Sequence, residues 1–167
     1  MLNLMDWNPS DFSEIPYSVY SDDALYKREK SQIFRGATWN FIGLELELPN
    51  HGDYKTTFVG ETPVIVVRDQ SGAINAMVNR CAHRGNLVCI QEKGNAERLT
   101  CVYHNWTFDL EGNLASIAFE RGIQGKGGMA EDFDREGRGL ERLRVETYCG
   151  LIFGTFSNEM ASLSDYL

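Results

Sequence analysis

A chain of 167 residues, 43% hydrophobic and 24% charged, is long enough to bury one ordinary globular core. Its net charge of −8 excludes the basic stripe expected of a nucleic-acid binder or of a protein drawn to an anionic membrane surface. No apolar run approaches the roughly 18 residues needed to cross a bilayer, and Met1 to Asp6 lack the basic and apolar regions of a signal peptide. The expected location is the cytoplasm, with neither nucleic acid nor membrane as partner.

Residues 1–20 carry Pro9 and Pro16, which disfavour a continuous helix, and read as an extended arm placed to order against another subunit. Ser21 and Asp22 are candidate N-caps for a helix running to about Phe34. Leu25, Tyr26, Ile33 and Phe34 fall on one broad face of it, and Gly36 is expected to end it in the left-handed position after the C-cap. From Trp39 onward the pattern changes to short strands separated by turn residues. Strands are predicted over 39–43, 54–59, 63–68 and 73–78, the third continuously apolar and therefore buried. His51 sits in a turn cluster and reads as a solvated surface residue. Residues 93–96 read as a turn, 99–100, 107–109 and 114–117 as further short strands, and 142–148 with 151–156 as a closing hairpin around Cys149-Gly150. The Gly-rich stretch 120–139 lacks the Gly-Lys-Ser/Thr ending of a phosphate-binding loop and reads as a flexible surface excursion. Many short strands without helical alternation predict a mainly β fold, an antiparallel sandwich or barrel with an N-terminal helix. The expected organisation is an arm and helix over 1–37, a β domain over 38–160, and a linker beginning at 161–167.

Chemistry concentrates in two blocks, Cys81-Ala82-His83-Arg84-Gly85 and Cys101-Val102-Tyr103-His104-Asn105-Trp106. Thiolate and imidazole both bind metals, so Cys81, His83, Cys101 and His104 form a candidate set of four ligands. Zinc takes such a set in structural sites, usually with both Cys in one knuckle and both His on one helix. Here each block mixes the two types. That suits a [2Fe–2S] cluster in which two Cys hold one iron and two His the other. Cys89 and Cys149 lie outside the blocks, and as an even pair they could form a disulfide, but a reduced compartment makes free thiols the expected state.

The blocks resemble the Rieske signature of aromatic-ring-hydroxylating oxygenase large (alpha) subunits. So do Thr38-Trp39-Asn40-Phe41-Ile42-Gly43, Val64-Ile65-Val66-Val67-Arg68 and Asn79-Arg80. The nearest resemblance is to enzymes acting on salicylate, anthranilate and related benzoates. It implies that Cys81, His83, Cys101 and His104 bind a Rieske [2Fe–2S] cluster. Respiratory Rieske proteins carry a loop-to-loop disulfide at the positions of Asn86 and Tyr103, and a Ser donor to the cluster where Trp106 stands. Both are missing, and since hydrogen bonds to the sulfurs raise the potential, loss of the Ser donor implies the lower end of the Rieske range of about −150 to +300 mV. Tyr103 and Trp106 are expected to wall off the cluster, and Arg84 to hold the loops or meet a partner's carboxylate. Asn105, where the family often has Gly, is a departure that touches no ligand.

The resemblance further implies a reductase or ferredoxin as electron donor, a small (beta) subunit, and a trimer-based homo-oligomer. It also implies a mononuclear Fe(II) in a second domain, held by two His and a carboxylate. No histidine follows His104, so that iron is expected outside these residues and the chain is expected to be part of a large subunit. Two other readings stand beside this one: a free Rieske-type ferredoxin, and a zinc-stapled binding module.

Overall fold

The computed structural model describes residue 13 and residues 15–167, so most of the predicted N-terminal arm lies outside the described residues. A 3₁₀ turn at Tyr17–Tyr20 precedes α1 (Asp23–Glu29). Asp22 caps α1 as its sequence predicts, its carboxylate accepting from the amides of Ala24 and Leu25 at 2.8 Å each. The helix does not run unchanged to Phe34. Residues Lys30–Phe34 widen into a π turn, closed by the Arg35 amide donating to the Lys30 carbonyl at 3.0 Å. Phe34 then packs against the core beside Gly60, whose absent Cβ would lie 3.0 Å from the ring. Gly36 follows, but not in the left-handed conformation expected. Its requirement is close approach: a Cβ there would sit 2.0 Å from the Gln32 carbonyl oxygen.

The strands are β1 (Asn40–Leu44), β2 (Asp53–Val59), β3 (Thr62–Arg68), β4 (Ile74–Val78), β5 (Lys93–Asn95), β6 (Leu99–Thr100), β7 (Trp106–Phe108), β8 (Leu114–Ile117), β9 (Arg142–Tyr148) and β10 (Leu151–Thr155). All pairings are antiparallel. Seven strands form one sheet in the order β1-β10-β9-β4-β3-β2-β5, and β6-β7-β8 form a second. The large sheet curls until β1 comes back beside β2. The fold is therefore mainly β and antiparallel, as the strand pattern predicts. One correction concerns 93–96. Gly94 and Asn95 read as turn residues, yet Lys93–Asn95 pair with β2 as an edge strand. Gly is needed there because a Cβ on Gly94 would meet the Tyr54 hydroxyl at 2.8 Å and its ring at 2.9 Å.

Two cores share β3. Ile65 and Val67 face a cluster containing Met77, Leu99, Trp106 and Phe108, between the two sheets. Val64 and Val66 face a second cluster with Ile42, Leu143 and Ile152, inside the curl. Both faces of β3 are covered, which is why its sequence is apolar throughout rather than alternating. Each fully buried aliphatic side chain among these contributes about 1.5–3 kcal/mol relative to exposure. At the β9–β10 turn Cys149 and Gly150 have φ of 50° and 82°, the two left-handed residues that a tight twisted hairpin requires. Cys149 is exposed there and Cys89 is buried in the first core; both are free thiols.

The predicted linker at 161–167 folds onto the sheet as a short helical turn, α2 (Leu163–Tyr166). The Trp39 indole N–H donates to the Ala161 carbonyl at 3.1 Å, Arg144 donates to the Met160 carbonyl at 2.6 Å, and the Leu163 amide donates to the Glu146 carboxylate at 2.7 Å. Leu163 is 1% exposed. Leu163→Ala should lower stability by about 2–4 kcal/mol in chemical denaturation, as for other buried leucines. An unchanged midpoint would show that the turn does not dock.

Candidate metal centre

Both cysteine–histidine blocks are loops at one end of the first core. Residues 81–86 follow β4, and residues 101–105 join β6 to β7. Their backbones close in the same way. The Cys81 amide donates to the Asn86 carbonyl and the Gly85 amide to the Cys81 carbonyl, each at 2.8 Å. The Cys101 amide donates to the Trp106 carbonyl and the Asn105 amide to the Cys101 carbonyl, each at 2.9 Å. The fourth residue after each cysteine is left-handed, Gly85 with φ 72° and Asn105 with φ 53°. Asn is among the few side-chain-bearing residues that visit this region readily, so its presence where the resembling family often has Gly leaves the loop geometry intact.

The two loops bring the four candidate residues together as like pairs. Cys81 and Cys101 are 4% and 1% exposed and neighbour each other. The His83 and His104 rings stand 4.6 Å apart between centroids, at 71° to each other. Among the described residues, no three His, Cys, Asp or Glu side chains gather as a group that could hold a single metal ion. The arrangement is two pairs rather than one tetrahedron. His51 lies apart from it in an exposed turn.

Electrostatics follow from burial. Burial pushes the Cys81 thiol pKa up, with the neighbouring Cys101 adding to the rise, while the amides of His83 and Arg84 donate to the sulfur and pull the other way. Burial and then the nearby His104 and Arg84 lower the His83 pKa, keeping the imidazole neutral and able to act as a ligand. Its Nδ1 is buried with no hydrogen-bond partner. An orphaned ring nitrogen in a native interior calls for an explanation. Taken with two facing thiols, it fits a metal group that uses this nitrogen and both sulfurs as ligands.

Neighbouring side chains fix the rings of the candidate ligands. Trp106 is 2% exposed and stacks on His83, with centroids 4.9 Å apart and 6° between planes. Tyr103 lies 3.9 Å from the His104 ring but is 58% exposed, so it flanks the site at the surface rather than sealing it. Behind Trp106, Phe133 meets the indole edge-on at 5.9 Å. Phe133 belongs to the Gly-rich stretch, which is more firmly held than its composition suggests. Met129 and Phe133 pack on the core, and Arg135 pairs with Glu120 across the excursion. Arg84 is exposed, whereas the neighbouring Arg80 donates to the Gly85 carbonyl at 3.2 Å and so braces the first loop.

Two asparagines matter in ways the sequence did not signal. Asn79 is 1% exposed; its carbonyl oxygen accepts from the amides of Val88 and Cys89 at 2.9 Å and its amide donates to the Cys89 carbonyl at 2.7 Å. This ties the base of the first loop to the returning chain. Asn86 reaches the second loop, its amide lying 3.9 Å from Cys101 Sγ. Cys89 itself is a core residue whose thiol pKa burial pushes up to about 12, so it is inert. Asn79→Ala would strand two amides and a carbonyl, each unmet group costing about 1–3 kcal/mol. It should lower stability by about 3 kcal/mol and raise hydrogen exchange at Val88 and Cys89. Exchange unchanged at those two amides would show that Asn79 does not hold the loop.

A family model of the Rieske [2Fe-2S] domain matches residues 38–125. The chain is 57% identical to the anthranilate 1,2-dioxygenase large subunit of Burkholderia cepacia, over 94% of this chain and 37% of the relative. It is 43% identical to the alpha 2 subunit of the terephthalate 1,2-dioxygenase terminal oxygenase component of Comamonas sp, over 99% of this chain and 40% of the relative. Among solved structures, naphthalene 1,2-dioxygenase with indole bound in its active site superposes with a TM-score of 0.81 at 37% identity, covering 90% of this chain and 33% of that one. A quaternary ammonium Rieske monooxygenase superposes with a TM-score of 0.77 at 29% identity, covering 90% of this chain and 39% of that one. The chain thus spans about two fifths of the length of the curated relatives it matches.

Proposed function

The chain belongs to the Rieske [2Fe-2S] domain family, and from that premise we propose that it is the electron-relaying part of a ring-hydroxylating oxygenase large subunit. Cys81 and Cys101 would hold one iron, and His83 and His104 the other. The observation that carries this reading is the pairing of thiol with thiol and imidazole with imidazole on two loops of equal closure. A single zinc ion would need the four to converge instead.

When bound, such a cluster accepts and releases one electron at a potential set by ligand charge, hydrogen bonds and exposure. The protein's own residues prepare the place for it. The core buries both sulfurs and keeps water from them. Trp106 fixes the plane of His83, and the half-buried imidazoles stand near the surface beside exposed Val102 and Tyr103. This edge is where an electron would enter or leave with little protein in between.

The donor would be a reductase or a ferredoxin. The acceptor would be a mononuclear iron held in a catalytic domain outside these residues, with a small beta subunit completing the oxygenase in a trimer-based homo-oligomer. The quaternary ammonium monooxygenase is described with inter-subunit electron transfer, which favours a relay across a subunit boundary. That neighbour is a monooxygenase, whereas the anthranilate and terephthalate relatives are dioxygenases, so the shared fold does not choose the oxygen chemistry. The 57% identity to the anthranilate enzyme favours dioxygen insertion into an aromatic acid. Relatives matching 94–99% of this chain are large oxygenase subunits, which favours this reading over a free ferredoxin. Among the described residues no helix is long and apolar enough to cross a membrane.

The cluster loops are joined by no disulfide, and Trp106 offers no hydroxyl at the position where respiratory proteins have Ser. A mediated redox titration of the purified chain should therefore give a midpoint near the lower Rieske limit of about −150 mV. A midpoint near +300 mV would contradict a relay from a nicotinamide-fed donor.

A further inference from the structure

The two ligand loops have no covalent link, yet one side chain joins them. Asn86 closes the first loop through its backbone carbonyl, which accepts from the Cys81 amide at 2.8 Å. Its carboxamide nitrogen donates one hydrogen to the Leu87 carbonyl at 2.8 Å and directs the other toward Cys101 Sγ at 3.9 Å. The side chain is partly buried, where a dipole aimed at a sulfur acts with little solvent screening. The sulfur it faces is 1% exposed and neighbours the Cys81 thiol.

The geometry points to Asn86 as a positioning residue that sets the reduction potential of the cluster by donating to the Cys101 sulfur across the two loops. This rests on the cluster assignment made above. One-electron reduction adds negative charge to the cluster and its thiolates, and a hydrogen-bond donor stabilises the more negative state. The electron comes from the external donor, and Asn86 keeps its protons throughout. Removing the donor therefore disfavours the reduced form and lowers the potential. The first loop, which carries one ligand of each kind, thus also tunes a ligand of the second.

The test compares the wild-type chain with Asn86→Leu, which keeps the bulk and loses the donor. Iron content, the EPR signal of the reduced protein and the midpoint potential are measured on each. With two irons bound in both, the equilibrium constant for reduction by a fixed mediator should fall about three- to tenfold in Asn86→Leu, tenfold being about 59 mV for one electron. An equal potential in two fully loaded proteins would overturn the inference and leave the cluster assignment standing. If Asn86→Leu does not take up iron, Asn86→Asp is read in its place. It has the same size, offers no donor when ionised, and should show a larger drop. Loss of the cluster from both variants with the fold retained by circular dichroism would also overturn the inference, since Asn86 would then build the loop rather than tune it. A wild-type chain without a cluster would overturn both this inference and the reading beneath it.

Discussion

Four candidate ligand side chains are held on two loops, the cysteines buried and the histidines half buried, with no covalent bond between the loops. This is the constraint around which the rest of the chain is arranged. Each loop solves half of it locally, with an amide-to-carbonyl closure across the turn and a left-handed residue at the corner. The remaining half is solved by packing. Trp106, which begins β7 directly after the second loop, lies flat on His83 from the first, so the loops are registered by a ring contact beside Phe133. Two strands deep, Ile65, Val67 and Phe108 form the floor.

Burial serves chemistry as well as stability here. A thiol kept from water has its pKa pushed up, as at Cys89, where nothing compensates and the group is inert. At Cys81 the same burial is opposed by two backbone amides aimed at the sulfur. The difference between a structural cysteine and a candidate ligand in one core is thus a matter of which donors face it. His83 follows the same logic from the other side: burial keeps it neutral and leaves its Nδ1 without a protein partner.

Much of this was legible in the sequence where the signal is local. The four ligand candidates stand out because residue type and spacing alone mark them. β3 was legible because a strand covered on both faces is apolar at every position, and the closing hairpin because Cys149-Gly150 interrupts two alternating runs. What escaped depends on partners distant in the chain. β5 looked like a turn because Gly94 is dictated by the Tyr54 ring on the neighbouring strand. The π turn in the N-terminal helix depends on how Phe34 must reach the core beside Gly60. Asn86 drew notice only as a position lacking a cysteine, because its reach to Cys101 exists only once the loops are folded together. Asn79 was visible as part of a resemblance, but its three hydrogen bonds to residues 88 and 89 were not.

The most direct measurement is an EPR spectrum of the dithionite-reduced chain, with iron and zinc quantified on the same sample. Two irons per chain and a rhombic signal from mixed Cys/His ligation are the expected result, and mutation of any one of Cys81, His83, Cys101 or His104 should abolish it. An EPR-silent protein carrying one zinc per chain would contradict the account and make these loops a structural metal site.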